Sequence, residues 1–195
     1  MPRVKSDNYD TKRELIMDHA ARLFSDAGYP NARMMDIAVA CGASKSMLYH
    51  YFPKKENILY AILIEHMEEL VCDIQYLLQN NAGEQSIIIE FVKLFVQKTA
   101  KARARHLMAI LDVKYLPEAQ QAEVVELERE IVILTGSILK LINPELPIKE
   151  YNIYALMLIG TINAMDMWRK PDGRYSAIEM AEMYAKVFMN GFMRV

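Results

Sequence analysis

The chain has 195 residues, 53% hydrophobic and 25% charged, with 7 Gly, 7 Pro and 14 Met. That composition excludes a disordered or low-complexity chain and favours helix over strand, at a length that suffices for one core or for a small domain joined to a medium one. The net charge of −2 is unevenly placed: residues 1–55 carry nine Lys and Arg against six Asp and Glu, and the remaining 140 carry fourteen against nineteen, a basic head on an acidic body.

In chain order, Met1-Pro2-Arg3-Val4-Lys5-Ser6-Asp7 has no apolar stretch behind its charges and does not read as a secretion signal. A first helix is predicted from Thr11, where Thr11-Lys12-Arg13-Glu14 fits a capping box. Its apolar face is read as Leu15, His19 or Ala20, Leu23, Phe24 and Ala27, and Gly28-Tyr29-Pro30-Asn31 ends it. A short helix from Met34 to Cys41 places Met34, Ile37, Ala38 and Cys41 on one face. Gly42-Ala43 supplies a tight turn, Ser44 has the oxygen to cap a third helix reaching Tyr51, and Pro53 stops it.

A long fourth helix runs from Lys55 to about Leu78, ended by Asn80-Asn81-Ala82-Gly83. Five more are predicted at about Gln85–Lys101, Arg103–Val113, Pro117–Leu141, Lys149–Arg169 and Ala177–Phe192, separated by proline-bearing breaks. The most apolar stretch, Tyr151 to Trp168, contains Asn152, Asn163 and Asp166, so no membrane span is expected. Cys41 and Cys72 fall in helices and are read as free thiols of a cytoplasmic protein. The expectation is an all-α chain of nine helices with no internal repeat: a three-helix head over residues 1–55 and a helical body over 56–195. No flexible linker separates them.

Residues 34–52 have the makings of a helix-turn-helix, two short helices held at a fixed angle by a tight turn with the second exposing polar groups to the major groove. Ala38 is small enough for a close crossing, and Gly42 accepts the left-handed backbone of a turn. In the third helix Leu48 and Phe52 are four apart and should point inward. Lys45 with Tyr49, and Ser46 with His50, share that spacing on the other faces. Lys45 reaches base edges or phosphates, Ser46 permits close backbone approach, the Tyr49 hydroxyl suits a phosphate and His50 suits either. Lys54 and Lys55 stand at the start of the fourth helix, where free N–H groups already favour an anion.

Phe24, Gly28-Tyr29, Asp36-Ile37-Ala38, Cys41-Gly42-Ala43-Ser44-Lys45, Leu48-Tyr49-His50-Tyr51-Phe52 and Lys54-Lys55-Glu56 follow one another in an order and spacing that resembles the N-terminal domain of TetR-family regulators. The resemblance covers about 50 residues. It implies that Tyr49 and Lys55 are phosphate contacts and that Lys45, Ser46, Met47 and His50 vary with the operator. Ser46 and Met47 stand where the family usually has Gly and then Thr or Ser; Ala32 and Arg33 stand where it tends to have Thr or Ser. Arg33 would then replace a capping contact with a direct phosphate pair. The expected DNA-facing set is Arg33, Ser44, Lys45, Ser46, Met47, Tyr49, His50, Lys54 and Lys55, on a double-stranded operator.

In the body, Tyr154, Leu158, Ile162 and Met165 repeat along the eighth helix, and Ile178, Ala181, Tyr184 or Ala185, Phe188 and Phe192 along the ninth. With small Ala155, Gly160, Thr161 and Ala164 beside them, two such helices and their symmetry mates would form a four-helix dimer interface, as the resemblance also implies. Met67, Met108, Met157, Met165 and Met167 read either as plain core or as an adaptable ligand lining. Lys101, Arg103, Arg105 and His106, with Lys114, read either as solvated surface or as a site for a phosphate or carboxylate.

The stretch Gly160 to Gly173, through Asn163, Trp168 and Pro171, is similar to the C-terminal signature of a TetR subgroup that regulates lipid, steroid and aromatic-acid degradation. Members of that subgroup commonly respond to acyl-CoA thioesters, which implies a long apolar pocket with a basic mouth. Asn163 and Trp168 fit an interface equally well. The candidate ligand residues are therefore Arg103, Arg105, His106, Met108, Met157, Asn163 and Trp168.

His19, His50, His66 and His106 form no metal spacing, although His66, Glu69 and Cys72 share a helical face; neither metal nor cofactor is expected. A Gly-rich phosphate loop, a nucleophile elbow and an acid–base pair are all lacking, so the expectation is not an enzyme. It is a homodimeric repressor released from a palindromic operator by a small-molecule inducer that displaces the sixth helix. Two alternatives are a regulator of the same fold answering a hydrophobic drug-like or aromatic ligand, and a helical lipid- or acyl-binding protein without DNA binding.

Overall fold

The computed structural model of the chain describes residues 3–80, 86–168 and 173–194, with side chains from residue 9 onward other than 99–101, 109–110 and 166–168. Among them are nine α-helices and no strand: α1 (Arg3–Ala27), α2 (Met34–Ala40), α3 (Lys45–Tyr51), α4 (Lys55–Asn80), α5 (Ile87–Lys101), α6 (Arg103–Leu111), α7 (Glu118–Ile142), α8 (Ile148–Trp168) and α9 (Ala177–Phe192), with one 3-10 turn at Val113–Tyr115. The all-α architecture expected from the sequence is the one observed.

Two features of α1 differ from expectation. The helix starts eight residues before Thr11, because nothing between Arg3 and Thr11 breaks it. Its buried side is Ile16, Met17, Ala20, Ala21 and Phe24, whereas Leu15 is 46% exposed. At about 100° per residue Leu15 lies half a turn from the centre of that stripe; taking it as the face leader rotated the predicted face.

The chain forms two compact units. The first comprises Met1–Met67 and Ala102–Val124, the second Glu68–Lys101 and Val125–Val195, so α4 and α7 each run from one into the other. In the first unit α1 packs on α2 and on α6, closing over Phe24, Ile37, Leu48, Ile58 and Ile62. In the second, α5 lies along α9, burying Ile88, Phe91, Val92 and Phe95 on one side and Ala181 and Ala185 on the other. Ser176 caps α9 by accepting the Glu179 N–H at 3.2 Å, while the Glu179 carboxylate accepts the Ser176 N–H at 2.8 Å. Gly136 lets α7 and α8 approach, since a Cβ there would meet Asn152 Oδ1 at 3.2 Å. No described helix is long and apolar enough to cross a membrane.

Candidate nucleic-acid interface

The turn between α2 and α3 is a Schellman motif. Gly42 has φ +60°, its N–H donates to Val39 O at 3.0 Å and the Ala43 N–H to Ala38 O at 2.9 Å. Ser44 then caps α3, its Oγ accepting the Met47 N–H at 3.1 Å. Leu48 is fully buried and Phe52 nearly so, with the Arg13 guanidinium 5.5 Å from the Phe52 ring centroid. Capped at one end and anchored by two inward residues, a seven-residue helix is held at a fixed angle that its own length would not secure.

On its solvent side α3 presents Lys45, Ser46, Tyr49 and His50, all exposed, in one stripe of positions i, i+1, i+4 and i+5. Lys45 Nζ lies 5.8 Å from the Tyr49 ring centroid. Met47 is half-buried and Ser44 exposed. Arg33 is the exposed N-cap residue of α2, its N–H donating to Asp36 Oδ2 at 3.1 Å. Lys54 is exposed beside the first turn of α4. Of the nine residues predicted to face DNA, four of the five on α3 share an exposed stripe, while Arg33 and Lys54 stand exposed at helix starts.

Lys55 is placed differently. Its ammonium donates to Tyr29 O at 2.7 Å and Ala32 O at 2.9 Å, with Pro30 O at 3.4 Å, and sits 4.3 Å from the Tyr29 ring centroid. The donors are thus turned onto the carbonyls of the α1–α2 loop. The Tyr29 ring is in turn stacked at 5.1 Å on Tyr115 and meets Phe24 edge-on, and burial pushes its phenol well above the ordinary range.

Of the residues predicted to hold a ligand, Arg103, Arg105, His106 and Met108 belong to the first unit and Met157 and Asn163 to the second. Arg105 is buried and forms ion pairs with Glu14 and with Asp18 of α1, the latter at 2.8 Å. Burial pulls its guanidinium down, and the two carboxylates outweigh that to raise it. His106 is buried with its Nδ1 3.1 Å from Nε2 of buried His66. Met108 is in the same core and Arg103 is exposed at the start of α6. Met157 is 57% exposed on α8 beside Ile153 and Leu156, Asn163 is half-buried, and the Trp168 side chain, like Pro171, lies outside the described residues.

The second unit contains a cavity of about 360 Å³ lined by Val92 and Val96 of α5, Ile162 and Met165 of α8, and Met180 and Tyr184 of α9. Among the described residues no charged side chain lines it, and neither do Arg103, Arg105, His106, Met108, Met157 or Asn163. Met165 is one of the methionines that the sequence offers as either core or ligand lining; the other lining residues could not be told from core, because the apolar periodicity of core and of cavity wall is the same. The described residues hold no group of three or more His, Cys, Asp or Glu able to bind a metal.

Two family models match the chain: "Bacterial regulatory proteins, tetR family" over residues 16–62 and "Tetracyclin repressor-like, C-terminal domain" over residues 88–192. The HTH-type transcriptional regulator YxaF of Bacillus subtilis is 34% identical over 88 residues, 45% of this chain and 44% of the relative; the aligned segment thus spans under half of that relative's length. A TetR-family transcriptional regulator from Bordetella parapertussis superposes with a TM-score of 0.84 at 30% identity, covering 94% of this chain and 96% of the other. AibR, solved with isovaleryl coenzyme A and operator DNA, superposes with a TM-score of 0.79 at 20% identity over 90% and 97% of the two chains.

Proposed function

Because the chain belongs to the TetR family of bacterial regulatory proteins, a family of DNA-binding transcriptional regulators, we propose that it acts as a homodimeric repressor that a small molecule releases from a palindromic operator. The observation that carries this reading is the exposed stripe Lys45, Ser46, Tyr49 and His50 on a helix held by a Schellman turn, a serine cap and two buried anchors. Lys45 and His50 face base edges, Tyr49 and Arg33 bind phosphate, and Ser46 and Met47 admit the helix to the groove. At the start of α4 the phosphate falls to Lys54 and the backbone N–H groups, with Lys55 holding the loop that carries Arg33. Residues 1–55 read DNA; residues 56–195 pair and sense.

Pairing is assigned to α8 and α9, but not through the stripes expected from the sequence, since Leu158, Ile162, Met165, Ala181, Ala185 and Phe192 are buried within the chain. Ile153, Leu156 and Met157 on α8, and Met183 and Val187 on α9, are each at least 52% exposed, apolar and spaced three or four apart. A second copy offering the same stripes would cover them in a four-helix arrangement, setting two α3 helices about 34–36 Å apart. The inducer we assign is an acyl-CoA thioester. The likeness of the Gly160 to Gly173 stretch to acyl-CoA-responsive regulators supports it, as does the fold shared with AibR, whose complex holds isovaleryl coenzyme A. Arg103 and Lys114 are exposed members of the basic cluster, and Arg103 is assigned to the nucleotide end.

The uncharged cavity lined by Ile162, Met165 and Tyr184 favours a second reading, a compact hydrophobic inducer without a nucleotide. A thermal-shift series separates the two. A saturating ligand at 100 times its Kd stabilises by about 2.7 kcal/mol, so acyl-CoAs should raise the Tm where matched free acids and uncharged apolar compounds do not; the reverse order would select the second reading. In either case the ligand must favour the state with the wrong α3 spacing, and a coupling of about 1–3 kcal/mol gives roughly 5–150-fold release.

A further inference from the structure

An exposed imidazole on a short helix samples its rotamers freely unless something holds it, and base readout through a mobile side chain loses discrimination to the entropy of fixing it. His50 is held. Its ring stands 5.6 Å from that of Tyr51 at 84°, and 6.4 Å from that of Tyr9 at 87°. Tyr9 and Tyr51 are themselves stacked, 4.5 Å apart at 26°. The imidazole is thus set at right angles to two stacked phenol rings, an edge-to-face arrangement that ring quadrupoles favour.

Tyr51 is the chain neighbour of His50 and comes with α3. Tyr9 does not: it belongs to the first turns of α1, ahead of Thr11, and reaches α3 across more than forty residues. It is also 40% exposed, so burial in the core is not what places it there.

From this geometry we infer that Tyr9 is a positioning residue for operator reading, fixing the orientation in which His50 meets a base. The inference rests on the DNA-reading role proposed above for α3. It gives the early start of α1 a function: those turns carry one wall of the recognition surface. Base selectivity at the positions read by His50 then depends on a residue outside the helix-turn-helix.

The test is selection of bound duplexes from a random pool by the full-length protein and by Tyr9→Phe, Tyr9→Leu, His50→Ala and Tyr9→Leu/His50→Ala, with thermal unfolding of each. Phenylalanine keeps the ring, so Tyr9→Phe should retain the wild-type base preferences. Tyr9→Leu keeps apolar bulk for folding but loses the ring, and should flatten preference by about twofold to tenfold at the same positions as His50→Ala, with the double variant no flatter than His50→Ala alone.

Unchanged preferences in folded Tyr9→Leu would overturn the inference. So would effects that add in the double variant, since Tyr9 would then touch DNA independently, and so would loss of preference in Tyr9→Phe, which would place the action in the hydroxyl. If the wild-type protein enriches an operator and His50→Ala enriches it equally, the His50 assignment fails and this inference with it. If the wild-type protein enriches nothing, the proposed function itself fails.

Discussion

Two adjacent lysines at the start of α4 show how far residue type alone can mislead. Lys54 and Lys55 have identical chemistry, yet Lys54 is exposed while Lys55 lays its ammonium on the carbonyls of Tyr29 and Ala32. Removing each should therefore fail differently. Lys54→Ala should lower the salt dependence of operator binding by about one unit of log–log slope and weaken all sequences alike. Lys55→Ala should leave two part-buried carbonyls unpaired and cost about 1–2 kcal/mol in urea unfolding, with the salt slope unchanged. Fluorescence-anisotropy titrations over a salt series check both, and a reduced slope for Lys55→Ala would restore it to the phosphate contacts. Local signals made Ser44, Leu48 and Phe52 legible in the sequence, because a cap and a four-residue spacing act within one helix turn. The partners of Lys55, Arg105 and Tyr9 were not, since each lies more than twenty residues away and no periodicity encodes it.

At the scale of elements, the end of α2 and the start of α3 could be read from the sequence because Gly42 and Ser44 each have a stereochemical reason to stand where they do. The start of α1 could not, since a plausible capping box at Thr11 lies inside a stretch that nothing interrupts. The grip of α6 on α1 was equally hidden. Arg103, Arg105 and His106 are adjacent in sequence and read as one basic cluster, but a helix points them in different directions: Arg105 to Glu14 and Asp18, His106 to His66, Arg103 outward. Arg105→Ala should destabilise the first unit by about 1 kcal/mol, a value kept modest because both carboxylates are half-exposed to screening water. Urea unfolding measures it. Base preference should not change, as Arg105 pairs with α1 and not with the exposed stripe of α3; a shift in preference would mean that the clamp sets the angle of α3 itself.

For the whole molecule, the apolar stripes of α8 and α9 matter most. A monomer would leave Leu156, Met157 and Val187, each more than half exposed, in water, where large apolar side chains on helices mark an interface. Met157→Glu together with Val187→Glu should place like charges across the proposed two-fold, giving a monomer by sedimentation and a loss of operator affinity of a hundredfold or more (roughly 3 kcal/mol). A dimer that persists in this double variant would move the interface elsewhere.

The proposed function requires α3 to read duplex DNA from a two-fold pair. Selection of duplexes from a random pool by the unmodified protein tests that directly. It should enrich an inverted repeat whose half-sites are centred about one helical turn, 10–10.5 base pairs, or a multiple apart, and Tyr49→Phe with Lys45→Ala should abolish the enrichment. A pool that stays random, or a repeat enriched equally by that variant, would contradict it.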